Sequence, residues 1–372
     1  MAQLFETSKI KNMMIKNRFV RSATWNGMAD KEGCSTKAID ALLAELARGE
    51  VGLIISGHAY VNQNGQISPR QLGIFSDSHI DGFSRMTELV HANGGKIAVQ
   101  LAHAGCHSNA SLTGIEPMGP SVMKNENGPF CREMTKQDIG RVITDFGLAA
   151  IRARKAGFDG IQLHAAHGYM MSQFLSPFYN RRTDDYGGGV ANRARIVLEI
   201  LRQVRAEAGA EYPVMIKFNS EDFIGGGFSV SEMLEISAML ENEGIDAIEL
   251  SGGLINYSGK YGPARQGLLK TTEDEVYYRE AAHLYKKQCK VPLMLVGGIL
   301  SYIVAERLIT EELTDYISLS RPLIREPNLV ARWKAGDTRK AACVFCNLCL
   351  NAAREEHRLY CVAQARLTGQ AV

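Results

Sequence analysis

"AGFDGIQLHAAHGYMMSQFL", residues 156–175, decides how the chain is read. A helical pattern closes on Gly157, the short apolar run DGIQLHA (159–165) follows, and it ends in two histidines, His164 and His167, with Tyr169 just beyond. A strand that is nearly all apolar, without alternation, is buried on both faces, as in parallel sheets covered by helices. Working outward, seven more runs of this kind recur: RFVRSA (18–23), VGLIISG (51–57), KIAVQLA (96–102), VMIKFN (214–219), DAIELSG (246–252), PLMLVGG (292–298) and DYISLSR (315–321). Helical patterns separate them. One closes on Gly49, one opens on Thr135 and closes on Gly157, and one opens on Ser229 and closes on Gly244, as helix capping chemistry requires. Eight strands regularly separated by helices predict a closed (β/α)8 TIM barrel of the α/β class. An open doubly wound sheet would carry a Gly-rich dinucleotide fingerprint after its first strand, and none is there.

The chain has 372 residues, 45% of them hydrophobic and 22% charged, enough apolar material for one large core. A net charge of +2 without runs of like charge offers no footprint for nucleic acid or an anionic membrane. The N-terminus lacks a leader pattern and no apolar stretch reaches a membrane span, so a cytoplasmic protein acting on a small molecule is expected. Two connections, 103–134 and 168–192, are longer than a barrel needs and are expected to build a site or its lid. The barrel is assigned to residues 1–338 and a short Cys-rich tail to 339–372.

Chemistry in such barrels gathers at the C-terminal strand ends. Those positions hold Thr24 and Trp25, His58, Gln100 and His103, His164 and His167, Lys217, Ser251 and Gly252, Gly297 and Gly298, and Ser320 and Arg321. A Gly-Gly pair after strand seven with Ser-Arg after strand eight suits a phosphate, through backbone N–H groups and one guanidinium. With the amide of Gln100 and the cation of Lys217 facing the same cavity, a flat heteroaromatic ring with a phosphate tail is indicated. The histidines admit two readings: a zinc site completed by His58 or His103, or paired donors to a substrate oxygen beside an acid, Tyr169.

Four of the eight cysteines crowd into the tail, Cys343, Cys346, Cys349 and Cys361, spaced C-x2-C-x2-C-x11-C. Spacing this tight reads as a metal site in a reducing compartment, zinc on four thiolates or a 4Fe-4S cluster. Cys34, Cys106, Cys131 and Cys289 are scattered and read as buried free thiols.

On the motifs KNRFVRSA, QLGIFSDSHIDGF, VQLAHAG, AGFDGIQLHAAHGYMMSQFLSPFYNRRTDDYGG, VGGI and SRPLIREP, the sequence resembles the Old Yellow Enzyme family of FMN-dependent NADH:flavin oxidoreductases. The resemblance runs from about residue 5 to residue 335. It implies a barrel with FMN at its mouth, lined by Ala23, Thr24, Trp25, His58, Gln100, Lys217, Gly297, Gly298, Ser320 and Arg321. It implies His164 and His167 on a substrate carbonyl oxygen and Tyr169 as proton donor to the neighbouring carbon. The implied reaction is an ene-reduction with NAD(P)H as reductant, acting on an α,β-unsaturated carbonyl, carboxylate or thioester. An amine dehydrogenase or demethylase, and an electron-transfer subunit serving a redox partner protein, are the alternatives. The tail cysteines resemble those that hold 4Fe-4S in the 2,4-dienoyl-CoA reductases and trimethylamine dehydrogenase. Homo-oligomers are common for such barrels. Ala23 stands where many relatives have Pro, Trp25 where they have Cys or Thr, Lys217 where Arg is usual and Cys106 where Arg follows LAHAG; these bear on substrate choice and flavin tuning.

Overall fold

The computed structural model describes residues 2–369. Eight strands close into a parallel barrel: β1 (Phe19–Arg21), β2 (Leu53–Tyr60), β3 (Lys96–Ala102), β4 (Gly160–Ala165), β5 (Val214–Asn219), β6 (Ala247–Ser251), β7 (Leu293–Val296) and β8 (Tyr316–Leu319). Each pairs with its sequence neighbours, and β8 returns to β1 through Ile317 opposite Phe19. Helices α1 (Lys37–Arg48), α2 (Ile80–Ala92), α3 (Lys136–Lys155), α4 (Val190–Ala208), α5 (Val230–Asn242), α6 (Arg279–Gln288) and α7 (Tyr302–Thr310) fill the connections.

The helix limits follow from capping. Thr135 and Asp138 form a capping box at the start of α3, and Ser229 and Glu232 form another at the start of α5, each satisfying two otherwise orphaned N–H groups. Apolar side chains from α3 and α4 pack with those of β3, β4 and β5 in the main core.

The N-terminal end of the barrel is plugged. A hairpin of Ser8–Ile10 and Met13–Ile15 contributes Ile10, Met13 and Ile15 to an interior cluster with Val20, Leu53, Ile55, Ala98, Met215 and Met294. The C-terminal end stays open to the connections. β2 departs from the expected end at Gly57: a register shift between Ile55 and His58 carries the strand on to Tyr60, so His58 lies within it. A bulge inserts an unpaired residue without ending the ladder, which the apolar pattern cannot reveal.

The long connection 103–134 is not irregular throughout. It carries a small sheet of Met118–Gly119, Met123–Asn125 and Gly128–Glu133. There Cys106 and Cys131, far apart in sequence, meet in an apolar cluster with Met123, Tyr179 and Leu254, so two of the supposedly scattered cysteines are neighbours. Cys34 is only half-buried, while Cys289 is buried as expected.

The tail folds back on the barrel. After α8 (Leu329–Lys334) come α9 (Leu348–Glu355) and α10 (Val362–Thr368), and Phe345, Cys349 and Ala353 join the main core. Gly27, at φ +65°, lies so close to the Ala353 carbonyl that any side chain there would collide with it. No helix among the described residues is long and apolar enough to cross a membrane.

Candidate active site at the barrel mouth

One cavity of about 380 Å³ opens at the C-terminal strand ends, a volume within the range of small-molecule sites. Ala23, Thr24, Trp25, His58, Gln100, Lys217, Gly297, Gly298, Ser320 and Arg321 all line it, together with His164, His167 and Tyr169. His103, the remaining strand-end histidine, does not: its Nδ1 accepts from the Gly105 N–H at 2.9 Å and its Nε2 bonds Asn64 Oδ1 at 2.9 Å, a local role.

Beneath the cavity runs a polar network. Gln100 Nε2 donates to Gln162 Oε1 at 2.7 Å, and Gln162 Nε2 donates to Glu249 Oε2 at 2.9 Å. Lys217 Nζ lies 3.7 Å from the same Glu249 oxygen and donates to Ser22 Oγ at 2.8 Å. Burial lowers the Lys217 ammonium from its usual range while Glu249 opposes that. Burial likewise brings Arg21, lodged under the same strands, down to about 10. A carboxylate with no solvent exposure persists only beside such cations. Gln162 and Glu249 were not foreseen, although a polar residue in the middle of each apolar run, DGIQLHA and DAIELSG, was the available signal.

On the substrate side, the ring of His164 is 4.3 Å from that of Tyr169 and 5.4 Å from that of His167. His164 Nδ1 accepts from the Ala166 N–H at 3.4 Å, which places the ring proton on Nε2. His167, at φ +65°, donates its N–H to Asn219 Oδ1 at 3.1 Å and shares a 2.7 Å bond between Nε2 and Ser251 Oγ. Desolvation first, then neighbouring imidazoles and Lys217, hold both histidines well below their ordinary range, so both imidazoles are neutral. Burial pushes the Tyr169 phenol above its usual value and keeps it protonated.

At the other end, Gly297 and Gly298 adopt φ of +115° and +76°, and a Cβ at Gly298 would come within 2.6 Å of the Tyr277 ring, so only glycine fits. Thr24 Oγ1 and Ser320 Oγ bond at 2.8 Å. Arg321 donates to the Arg265 carbonyl at 2.6 Å and to Asn347 Oδ1 at 2.7 Å, and stacks 4.2 Å over Phe345. The tail itself supplies wall, through Phe345, Leu350 and Arg354, which the sequence did not suggest.

Two buried polar atoms on this wall, Trp25 Nε1 and Ser318 Oγ, have no partner within the protein. Unspent donors of this kind, with an amide and an ammonium at one end and glycines, hydroxyls and a guanidinium at the other, fit FMN. The zinc reading of the histidines does not fit, because both ring nitrogens of His58 are engaged, Nδ1 with Gln71 at 2.8 Å and Nε2 with Tyr169 at 3.2 Å. In the tail, Cys343, Cys346, Cys349 and Cys361 surround a small space of about 20 Å³ beside Arg321. As they stand, no three His, Cys, Asp or Glu side chains among the described residues are set to hold a metal.

A parallel barrel with this mouth defines the flavin-dependent oxidoreductases of the α/β class. Over residues 3–340 the chain matches the NADH:flavin oxidoreductase / NADH oxidase family, and it belongs to that family. The family's cofactor is FMN and its reductant a nicotinamide, as the motif resemblance implied. An NADPH dehydrogenase of Clostridium acetobutylicum is 36% identical over 330 residues, 88% of this chain and 93% of that protein. An NADH oxidase of Thermoanaerobacter brockii is 36% identical over 353 residues, 93% of this chain and 53% of that protein. The solved structure of a 2-naphthoyl-CoA reductase superposes with a TM-score of 0.87 at 28% identity, over 96% of this chain and 56% of that one. The chain thus spans about half the length of these last two proteins.

Proposed function

We propose that this chain is an FMN-dependent ene-reductase that uses NAD(P)H to saturate an alkene conjugated to a carbonyl, carboxylate or thioester. The observation that carries this reading is the convergence of a protonated phenol, Tyr169, and a neutral imidazole donor, His164, in the cavity that also holds Lys217 and Gln100. FMN bound in this cavity would supply the hydride chemistry, linking oxidation of the nicotinamide to reduction of the alkene at its β-carbon. His164 Nε2–H, with His167 beside it, binds the substrate oxygen and stabilises the enolate charge that develops there. Tyr169 delivers the proton to the α-carbon. Gln100, Lys217, Thr24 and Trp25 would hold the ring, with His58 as packed wall beside it; Gly297, Gly298, Ser320 and Arg321 would hold the phosphate. The likeness to a 2-naphthoyl-CoA reductase supports a thioester among the substrates.

In the tail, Cys343, Cys346, Cys349 and Cys361 would hold a 4Fe-4S cluster or zinc once their thiols draw together from the positions described above, a reading supported by their spacing and by the common space they enclose. A cluster there would exchange electrons with a redox partner protein, and a thiolate-rich metal site suits the reducing cytoplasm. Self-association into a homo-oligomer belongs to the same reading.

The test is an anaerobic visible spectrum before and after NADH or NADPH, then after an enone and an enoyl thioester, with iron and acid-labile sulfide assayed. Flavin bands bleached by nicotinamide and restored by the alkene are expected. Flavin that no alkene reoxidises would refute the ene-reductase, and protein without iron, sulfide or zinc would refute the tail site.

A further inference from the structure

Gln71 lies outside the cavity wall, fully buried on the segment that follows β2. Its Oε1 accepts from the backbone N–H of Ile67 at 3.0 Å and of Ser68 at 3.4 Å. With the oxygen committed there, the amide NH2 is the end that meets His58 Nδ1, at 2.8 Å. An amide nitrogen only donates, so Nδ1 accepts and the ring proton sits on Nε2. Nε2 is 3.2 Å from Tyr169 Oη, and the phenol oxygen therefore accepts from His58. Its own O–H is left free, in a cavity wall where the His164 ring stands 4.3 Å away.

We infer that Gln71 is a positioning residue: it fixes the tautomer of His58, and His58 in turn holds the Tyr169 hydroxyl as a donor to substrate. Resting on the ene-reductase reading, this adds a second layer to its acid. On proton transfer the Tyr169 O–H bond breaks, the enolate electron pair forms the new Cα–H bond, and the phenolate left behind accepts the His58 Nε2–H bond until water returns a proton. In a buried site that bond matters, because burial already raises the phenol and so destabilises its anion. Facing His58 are Tyr169, His164 at 6.0 Å between rings, and the Lys217 ammonium. Burial, aided by Lys217, brings His58 down to about 4, so its tautomer holds at neutral pH.

Gln71→Glu separates this role from a structural one. A carboxylate only accepts, so His58 Nδ1 must then donate. While the imidazole stays doubly protonated, Nε2–H still serves Tyr169. Once it loses a proton at higher pH, Nε2 becomes an acceptor and captures the Tyr169 hydroxyl. The readout is the ratio of the alkene step to flavin reduction by NAD(P)H, in stopped flow from pH 6 to pH 9. In wild type the ratio is expected to stay level. In Gln71→Glu it is expected to fall with rising pH by roughly 10- to 100-fold, a misdirected acid costing less than the about 10²–10⁴-fold of a deleted one, whereas Gln71→Leu lowers it without a pH trend. An equal, pH-independent loss in both variants, or none in either, overturns the inference. If wild type reduces no activated alkene, the ene-reductase reading fails by itself. The 15N shifts of His58 then decide the inference: protonated Nε2 sustains it and protonated Nδ1 overturns it.

Discussion

The two ends of the barrel solve opposite problems. At the N-terminal end the hairpin drives Ile10, Met13 and Ile15 into an interior of Val20, Leu53, Ile55 and Met215, with every one of these nearly free of solvent. At the C-terminal end the same strands bury Gln100, Gln162, Lys217 and Glu249, groups that favour water unless paired. One end supplies stability by removing apolar area from water, and the other uses it to hold polar groups where a ligand needs them. The difference is set within single strands: β5 starts with Val214 and Met215 and reaches Lys217 two residues later.

Changes at the two ends should therefore separate activity from stability. The largest expected effect is Tyr169→Phe, which removes the proton donor: alkene reduction should fall about 10²–10⁴-fold while NAD(P)H still bleaches the flavin. Unaltered turnover would strip Tyr169 of its role. Lys217→Met comes next, leaving Glu249 buried without its ammonium; a stability loss of about 3–5 kcal/mol by denaturant titration is expected. At the plugged end, Ile15→Ala should lose about 2–5 kcal/mol from the cavity it opens, with turnover per folded molecule unchanged. A drop in that turnover would show that the ends are not independent.

The smallest expected effect is with pH. His58, held down to about 4, and His164 and His167, both well lowered, stay neutral in the fold while their unfolded counterparts protonate near 6.5. Between those values the unfolded state binds more protons, so the contribution is complete above about pH 6.5 and is lost as pH falls toward 4. The Tm of the flavin-free protein should decline from pH 7.5 to pH 5, and less steeply in His164→Asn; equal slopes would assign the decline to other groups.

Much of this was legible in the chain. The eight apolar runs located the strands, Thr135 and Ser229 marked helix starts, and the residues at strand ends converged because parallel strands all end on one side. What stayed hidden depends on chain segments meeting across long separations. The β2 bulge that keeps His58 in the strand leaves no periodic trace. Gln71 looks like loop polarity until its oxygen is seen on Ile67 and Ser68. Cys106 and Cys131 meet only because the connection 103–134 folds back on itself as a small sheet, and Phe345, Leu350 and Arg354 reach the cavity only because the tail turns back.

Arg321 stands at that return. It is on the wall of the cavity and also on the wall of the space enclosed by the four tail thiols, with Asn347 and Phe345 of the tail fixing its guanidinium. A side chain shared by two spaces couples them reciprocally: a ligand in the cavity that favours one arrangement of Arg321 would change the tail space, and a metal bound among the tail thiols would change the cavity to the same degree.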